Sequence, residues 1–238
     1  MKTLHVLCAG AVKGLVLATR SRFETESGAT IAATFGAVGA MRDALRAGVP
    51  CDVLIVSQRM VEDLGASGEL RVGSATRIGS VRTAVAVRTG TPHPAIADAG
   101  ALAASLLAAS ALYVPDVKLS TAGAHVASML DALDIRKALE SRLRMSASGA
   151  IAMRALVEDG LDDAVGCTQA TEIRYTPGLD LVGPLPPPFA LATVYSAALA
   201  GGASDVALAA RFLTLLGGAR TADLRRAGGF DPKPDGAW

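Results

Sequence analysis

Aromatic side chains make up only 4% of this sequence, cysteine occurs three times in 238 residues, and neither sign of charge dominates. Each shortage excludes a class of protein. Half of the residues are hydrophobic, so with few aromatics the apolar mass is small side chains packed into regular elements, which favours a compact α/β body. Cys8, Cys51 and Cys167 cannot all pair, and no C-x-x-C or Cys/His ligand spacing is present; a disulfide framework and a structural zinc are both excluded. His5, His93 and His125 are likewise not spaced as metal ligands, so no metal is expected. The 23 basic and 22 acidic residues leave a net charge of +1 with no Lys/Arg cluster. A nucleic acid or an anionic membrane surface would ask for a basic stripe, so neither is expected as a partner. No run approaches the roughly 18 apolar residues of a membrane span, so no membrane insertion is expected.

The beginning, MKTLHVLCAGAVKGLVLATR, has the small and apolar residues of a secretion signal. Its apolar stretch Leu4–Val12 is short, contains His5 and is broken by Lys13, whereas a signal needs an unbroken apolar region. The stretch reads as structure, and the sequence as it stands reads as cytoplasmic, or as periplasmic if a leader has been removed.

Along the chain, short apolar runs alternate with helical periodicity. Strands are predicted at Thr3–Leu7, Thr30–Phe35 and Cys51–Val56, with helices at Val12–Thr25, Val38–Ala47 and Met60–Leu64 between and after them. That order implies right-handed crossovers and a parallel sheet. The extended stretch Arg77–Arg88 then leads to a second alternating block: helices Gly100–Ala109, Ala122–Leu133, Ile135–Ser141 and Ala150–Asp159, and strands Ala111–Val114, Leu143–Met145, Asp163–Cys167 and Leu179–Val182. A second extended stretch, Ala190–Ala200, is followed by helices at Val206–Leu216 and Thr221–Ala227. Two long extended segments bracketing about 100 residues are how a chain crosses from one lobe to another and returns. The expected division is residues 1–81 plus 192–238 as one lobe and 82–191 as the other.

Several stretches carry a family likeness: Leu7-Cys8-Ala9-Gly10-Ala11 after the first strand, Thr34-Phe35-Gly36-Ala37-Val38-Gly39 before a helix, and Cys51-Asp52-Val53-Leu54-Ile55-Val56-Ser57. To these belong Val85-Ala86-Val87-Arg88-Thr89-Gly90 and Pro177-Gly178-Leu179-Asp180-Leu181-Val182-Gly183-Pro184-Leu185-Pro186. Their order and spacing, more than any one of them, resemble the bacterial extracellular solute-binding proteins of the type II periplasmic binding fold, on the molybdate-binding branch. The resemblance implies two doubly wound α/β lobes joined by two crossing strands and closing on a small anion. It also implies an ABC transporter permease as partner and no cofactor; the near-neutral charge and the lack of an obvious exposed apolar stripe point to a monomer.

Elementary electrostatics agrees with an anion ligand. A strand that ends in small residues and runs into a helix leaves unpaired N–H groups whose partial positive charge favours an anion, and in a doubly wound sheet such turns lie at the carboxyl ends of the strands. Candidate turns are Gly10-Ala11, Gly36-Ala37-Val38, Ser57 and Ser120-Thr121, with Thr83 on the first crossing stretch. Ser57 and Ser120 also suit plain helix N-caps. The Gly36 turn lacks the third glycine and the downstream acid of a dinucleotide site, and no Walker lysine loop exists.

The molybdate branch places a serine in the first turn, where this chain has Cys8-Ala9-Gly10-Ala11; Lys13 on the following helix favours a carboxylate instead. Thr168, Gln169 and Thr171 offer uncharged hydrogen bonds in what reads as a polar turn, Gly166–Glu172. Glu172 there is expected to face outward or pair with Arg174, and Cys167 to be a small buried hydrophobe. The first functional reading is a small-anion binding protein resembling a molybdate-type transporter receptor. The alternative is a cytosolic isomerase of an unsaturated di- or tricarboxylate such as aconitate on the same fold, with Lys13, His125, Cys167 and Glu172 as the acid–base candidates.

Overall fold

The structure is a computed structural model and describes residues 2–231. In chain order it contains β1 (Thr3–Ala9), α1 (Lys13–Ser27), β2 (Thr30–Gly36), α2 (Val38–Arg46), β3 (Val53–Ser57), α3 (Gln58–Ala66) and β4 (Thr76–Arg88). Then follow α4 (Ala99–Ala108), β5 (Leu112–Pro115), α5 (Thr121–Ala132), α6 (Arg136–Leu139), β6 (Leu143–Ser146) and α7 (Gly149–Glu158). The rest is β7 (Val165–Gln169), α8 (Ala170–Tyr175), β8 (Leu179–Pro184), β9 (Ala192–Leu199), α9 (Val206–Gly217) and α10 (Ala222–Ala227). The chain divides into two compact units, one made of residues up to Val81 together with those from Thr193 onward, the other of Arg82–Ala192. It passes from the first to the second within β4 and returns at the start of β9.

In the first unit β1 lies between β2 and β3, parallel to both, and β9 pairs antiparallel with β3. Strands covered on both faces read as continuous apolar runs, and β3, Val53-Leu54-Ile55-Val56, is buried at all four positions. The helical stripe Leu15, Val16, Thr19 and Phe23 of α1 faces inward. Phe23 meets Phe212 of α9 edge to face at 4.9 Å between ring centroids, a geometry worth about 1 kcal/mol beyond the area it buries. α1 ends at Gly28, whose φ of 69° is the left-handed cap that glycine adopts without a Cβ clash.

One carboxylate fixes the start of β3. Asp52, 2% exposed, accepts the His5 N–H at 2.8 Å and both the N–H and the hydroxyl of Ser204 at 2.7 Å each. This ties β1 to the chain just after β9 and explains why β3 begins at Val53 instead of Cys51.

In the second unit β5 is parallel to β6 and to β7, while β4 is antiparallel to β7 and, on its other side, to β8. Its core is Val85 and Val87 of β4, Leu102 and Leu106 of α4, Leu112 and Val114 of β5, and Val126, Met129 and Leu130 of α5, with Val165 and Cys167 of β7 and Leu185. Gly123 lets α5 settle against the end of β5: a Cβ there would lie 2.2 Å from the Asp116 carbonyl oxygen. The predicted helix Ile135–Ser141 is shorter, four residues of α6 followed by a 3-10 turn at Glu140–Arg142.

Candidate functional site

The first unit concentrates helix starts on one strand edge. Ala9, the last residue of β1, pairs with Gly36, the last of β2, and Cys8 pairs with Ile55 of β3. The three parallel strands therefore end almost level, and the turns Gly10–Val12, Ala37 and Ser57–Gln58 leave the sheet side by side. α1, α2 and α3 follow these turns, and none has a side-chain cap bond or an acidic residue in its first turn. Their N-terminal positive ends are not neutralised by their own side chains. α9, which does not follow a parallel strand, is capped by Asp205, whose side chain accepts from Leu208 N–H.

Ser57 stands at the N-cap of α3 but makes no side-chain cap bond. This corrects the expectation of a capping hydroxyl, although the backbone at Ser57 is as extended as at the capping serines Ser120 and Ser148. Next to it, Gln58 Oε1 receives the Ser196 hydroxyl of β9. Lys13 opens α1 half-buried, its Nζ 5.6 Å from the centroid of the Phe35 ring on β2, within cation–π range. A cation thus stands on the edge where the three uncapped helices begin.

The second unit has its own edge. Pro115, ending β5, pairs with Ser146, ending β6, and Thr83 of β4 pairs with Gln169, ending β7. Here the long helices are capped. Ser120 accepts from Gly123 N–H at 3.4 Å before α5, as expected of a cap, with Thr121 the first residue of that helix. Ser148 accepts from Ile151 N–H at 3.4 Å before α7. Asp116 accepts the N–H groups of Leu119 and Lys118 at 2.8 and 2.7 Å, which hold its carboxyl below the usual range.

Gly166–Glu172 corrects the reading of a polar turn: Gly166–Gln169 are the body of β7, and Ala170–Tyr175 is a short helix, α8. Glu172 faces inward and does not pair with Arg174. It is 6% exposed, accepts the Thr168 hydroxyl at 2.6 Å and the Ala150 N–H at 3.2 Å. The inward turn has a structural reason: the first turn of α7 offers an orphan N–H that a carboxyl can satisfy. Burial, the largest influence, pushes this carboxyl up, against the pull of those hydrogen bonds. The Thr168 hydroxyl proton is engaged by Glu172 within the unit. Gly149 makes room for both: a Cβ there would lie 2.0 Å from Glu172 Oε2 and 2.1 Å from Thr168 Oγ1.

The remaining acid–base candidates of the second unit differ in environment. Cys167 is 1% exposed in the core of the second unit, and burial pushes its thiol up to about 12; it is packing, which removes it as a proton-transfer group near neutrality. His125, half-buried on α5, has Nε2 2.8 Å from the Phe189 carbonyl oxygen, a bond that fixes the ring against the segment after β8. Thr83 and Thr171 are buried at 0% and 5% exposure, and their hydroxyl oxygens have no hydrogen bond among the described residues. Among the described residues no group of three or more His, Cys, Asp or Glu is placed to hold a metal ion.

Sequence reasoning did not single out Ser148 or Gly149. The pair Ser148-Gly149 before the apolar period Ala152, Met153 and Leu156 was an available helix-start signal. Thr171, read from the sequence as an uncharged hydrogen-bonding residue, lies buried on α8.

The comparisons agree with this architecture. The chain is 26% identical to an aconitate isomerase of a Pseudomonas species over 238 residues, 98% of this chain and 88% of that one. The periplasmic molybdate-binding protein of Azotobacter vinelandii superposes with a TM-score of 0.76 at 18% identity, covering 97% of this chain and all of that one. The sulfate-binding protein SubI of Mycobacterium tuberculosis superposes with a TM-score of 0.73 at 17% identity, covering 99% of this chain and 88% of that one. These likenesses show the type II periplasmic binding fold, and no helix among the described residues is long and apolar enough to cross a membrane. The family described as bacterial extracellular solute-binding protein matches residues 4–231, and the chain belongs to it.

Proposed function

We infer that this protein binds a small anion, a carboxylate or an oxyanion, using the carboxyl edge of β1, β2 and β3. The observation that carries the reading is the set of three neighbouring helix starts with no side-chain cap and no acidic residue in the first turn. Amide groups around Gly10, Ala11, Gly36, Ala37, Val38 and Ser57 supply fixed partial charge, and Lys13 supplies a full one. With a lysine present and no hydroxyl in the first turn, a carboxylate suits the edge better than an oxyanion held by neutral donors alone. Ser120, Thr121, His125, Thr83, Thr168 and Gln169 of the second unit are proposed as further contacts, with Thr168 contributing through its backbone. Molybdate and sulfate, named for two of the similar structures, belong to the same chemical class. Capture for an ABC transporter permease, outside the cytoplasmic membrane, is the setting proposed from the family description.

The aconitate isomerase relative favours a second reading, proton transfer on an unsaturated tricarboxylate. Burial of Cys167, and of Glu172 with its carboxyl held by Thr168 and Ala150, leaves Lys13 and His125 for that chemistry. A thermal-shift screen over molybdate, sulfate, phosphate and small di- and tricarboxylates tests the first reading, since a ligand that binds only the native state raises its melting temperature. Ultraviolet absorbance of each stabilising unsaturated acid then tests the second. Stabilisation without turnover leaves a receptor; turnover lost on Lys13→Ala or His125→Ala establishes an enzyme. A screen with no shift for any anion defeats the ligand class.

A further inference from the structure

At the end of α1 away from Lys13, three arginines converge on one acid. Glu26 Oε1 accepts from Arg22 Nε at 3.1 Å and from Arg220 Nη2 at 2.5 Å, and its Oε2 accepts from Arg220 Nη1 at 3.2 Å. Arg220 first and Arg22 second hold this carboxyl below its usual range. The third arginine, Arg211 of α9, donates through Nη2 to the Glu26 backbone carbonyl at 3.0 Å. It is exposed, and among the described residues it has no carboxylate partner and a single engaged N–H. Arg211, Arg220 and Glu26 border a cavity of about 390 Å³ whose other walls are mainly apolar, Phe23 of α1 with Ala207, Ala210 and Leu215 of α9. That volume falls within the range of small-molecule sites, about 300–1,000 Å³. Thr214, also on the wall, spends its hydroxyl on the Ala210 carbonyl. Every lining residue belongs to the first unit. Lys13 and Glu26 stand near opposite ends of one unbroken helix, about 20 Å apart at a rise of about 1.5 Å per residue, so the cavity is separate from the β1–β3 edge.

We propose that this cavity is a second binding site, for a small monocarboxylic acid with a short apolar chain, whose carboxylate pairs with Arg211 and whose chain lies between α1 and α9. The planar guanidinium matches a carboxylate through paired N–H bonds. Glu26 does not meet that need, because turning its carboxylate to Arg211 would break the bonds to Arg22 and Arg220. An ion pair with Arg211 alone, open to water, is weak; the apolar walls supply what it lacks by burying a hydrocarbon chain. A bare inorganic anion would leave those walls unused, and a neutral apolar molecule would leave Arg211 without a counter-charge. A second carboxylate on the ligand would meet apolar walls and the negative Glu26, which selects for a single charge.

Calorimetric titration of the full chain with hexanoate, hexanol and adipate at neutral pH tests the site. Wild type is expected to bind hexanoate at millimolar concentration and to bind the neutral alcohol and the diacid more weakly. Arg211→Gln, at an exposed position, should weaken hexanoate about fivefold. Ala210→Leu, which puts a larger side chain into the cavity and keeps a good helix former on α9, should weaken it at least as much, with circular dichroism confirming that both variants fold. Nuclear Overhauser contacts between the hexanoate chain and the Phe23 ring should place the ligand directly. Absence of hexanoate binding at millimolar concentration, or affinity unchanged in either variant, overturns the site. Hexanol or adipate binding as tightly as hexanoate, and as sensitive to Ala210→Leu, overturns the assigned ligand class. None of these results bears on the β1–β3 edge, whose reading stands or falls by its own screen.

Discussion

Asp52 and Glu172 are buried carboxyl groups served by similar donors and displaced in opposite directions. At Asp52, burial pushes upward but the His5 N–H and the Ser204 hydroxyl and N–H outweigh it, and the group is held below its usual range. Its stabilising contribution is therefore fully present above the unfolded value of about 3.9 and is lost as pH falls through the lower folded value. Asp52→Asn should cost about 1–3 kcal/mol near neutrality, read by urea unfolding, with the deficit shrinking in acid. Glu172 behaves the other way, because burial wins there. Its contribution is complete below the unfolded value of about 4.3 and is lost as pH rises through the raised folded value. The stability of Glu172→Gln should therefore improve relative to wild type with rising pH in the same urea series. Gly149→Ala inserts a carbon where there is no space beside Glu172 and Thr168, and a loss of about 1–3 kcal/mol is expected from the forced shift, with circular dichroism confirming that the fold is kept.

At the level of elements, hydroxyl N-caps divide into those that bond, Ser120 and Ser148, and those that do not, Ser57 and Thr221. Ser148→Ala and Ser120→Ala should each cost about 1 kcal/mol in chemical unfolding, since both side chains accept from their helices. Ser57→Ala should stay within about 0.5 kcal/mol, because Ser57 makes no cap bond; any effect on anion-induced stabilisation then reports on ligand contact and not on the helix.

The same contrast shows what could be read beforehand. Strands β3 and β5 were legible because burial on both faces writes them as unbroken apolar runs, β1 because apolar residues flank His5, and α1 because Leu15, Val16 and Phe23 keep a helical period. The extended stretch Arg77–Arg88 was legible in its alternation and length, and is observed as β4 from Thr76. α8 was not legible: six residues do not complete two turns, and Thr168, Gln169 and Thr171 look like loop chemistry when their burial is unknown. The inward face of Glu172 was hidden for a related reason. Its partner Ala150 lies 22 residues away, and nothing local to Glu172 announces a helix start waiting for it. At the candidate edge the small residues after β1 and β2 could be found from the sequence, whereas the level ending of three strands depends on register.

For the whole molecule, a ligand that binds only the native chain stabilises it in proportion to its saturation. At 100 times its dissociation constant the gain is about 2.7 kcal/mol, which for a chain of this size corresponds to a rise of roughly 5–10 °C in melting temperature. A scanning fluorimetry series in which the rise grows with the logarithm of probe concentration would match a single saturable site.

The division of the chain also orders events at the ribosome. The second unit is one uninterrupted stretch and can collapse as soon as it emerges. The first unit needs β9 beside β3 and Phe212 against Phe23, both supplied by the tail end of translation. The segment up to Val81 must therefore wait on the order of ten seconds at about 5–20 residues per second, with apolar strands unshielded, and nascent-chain chaperones will find their binding segments in β1 and β3 during that interval.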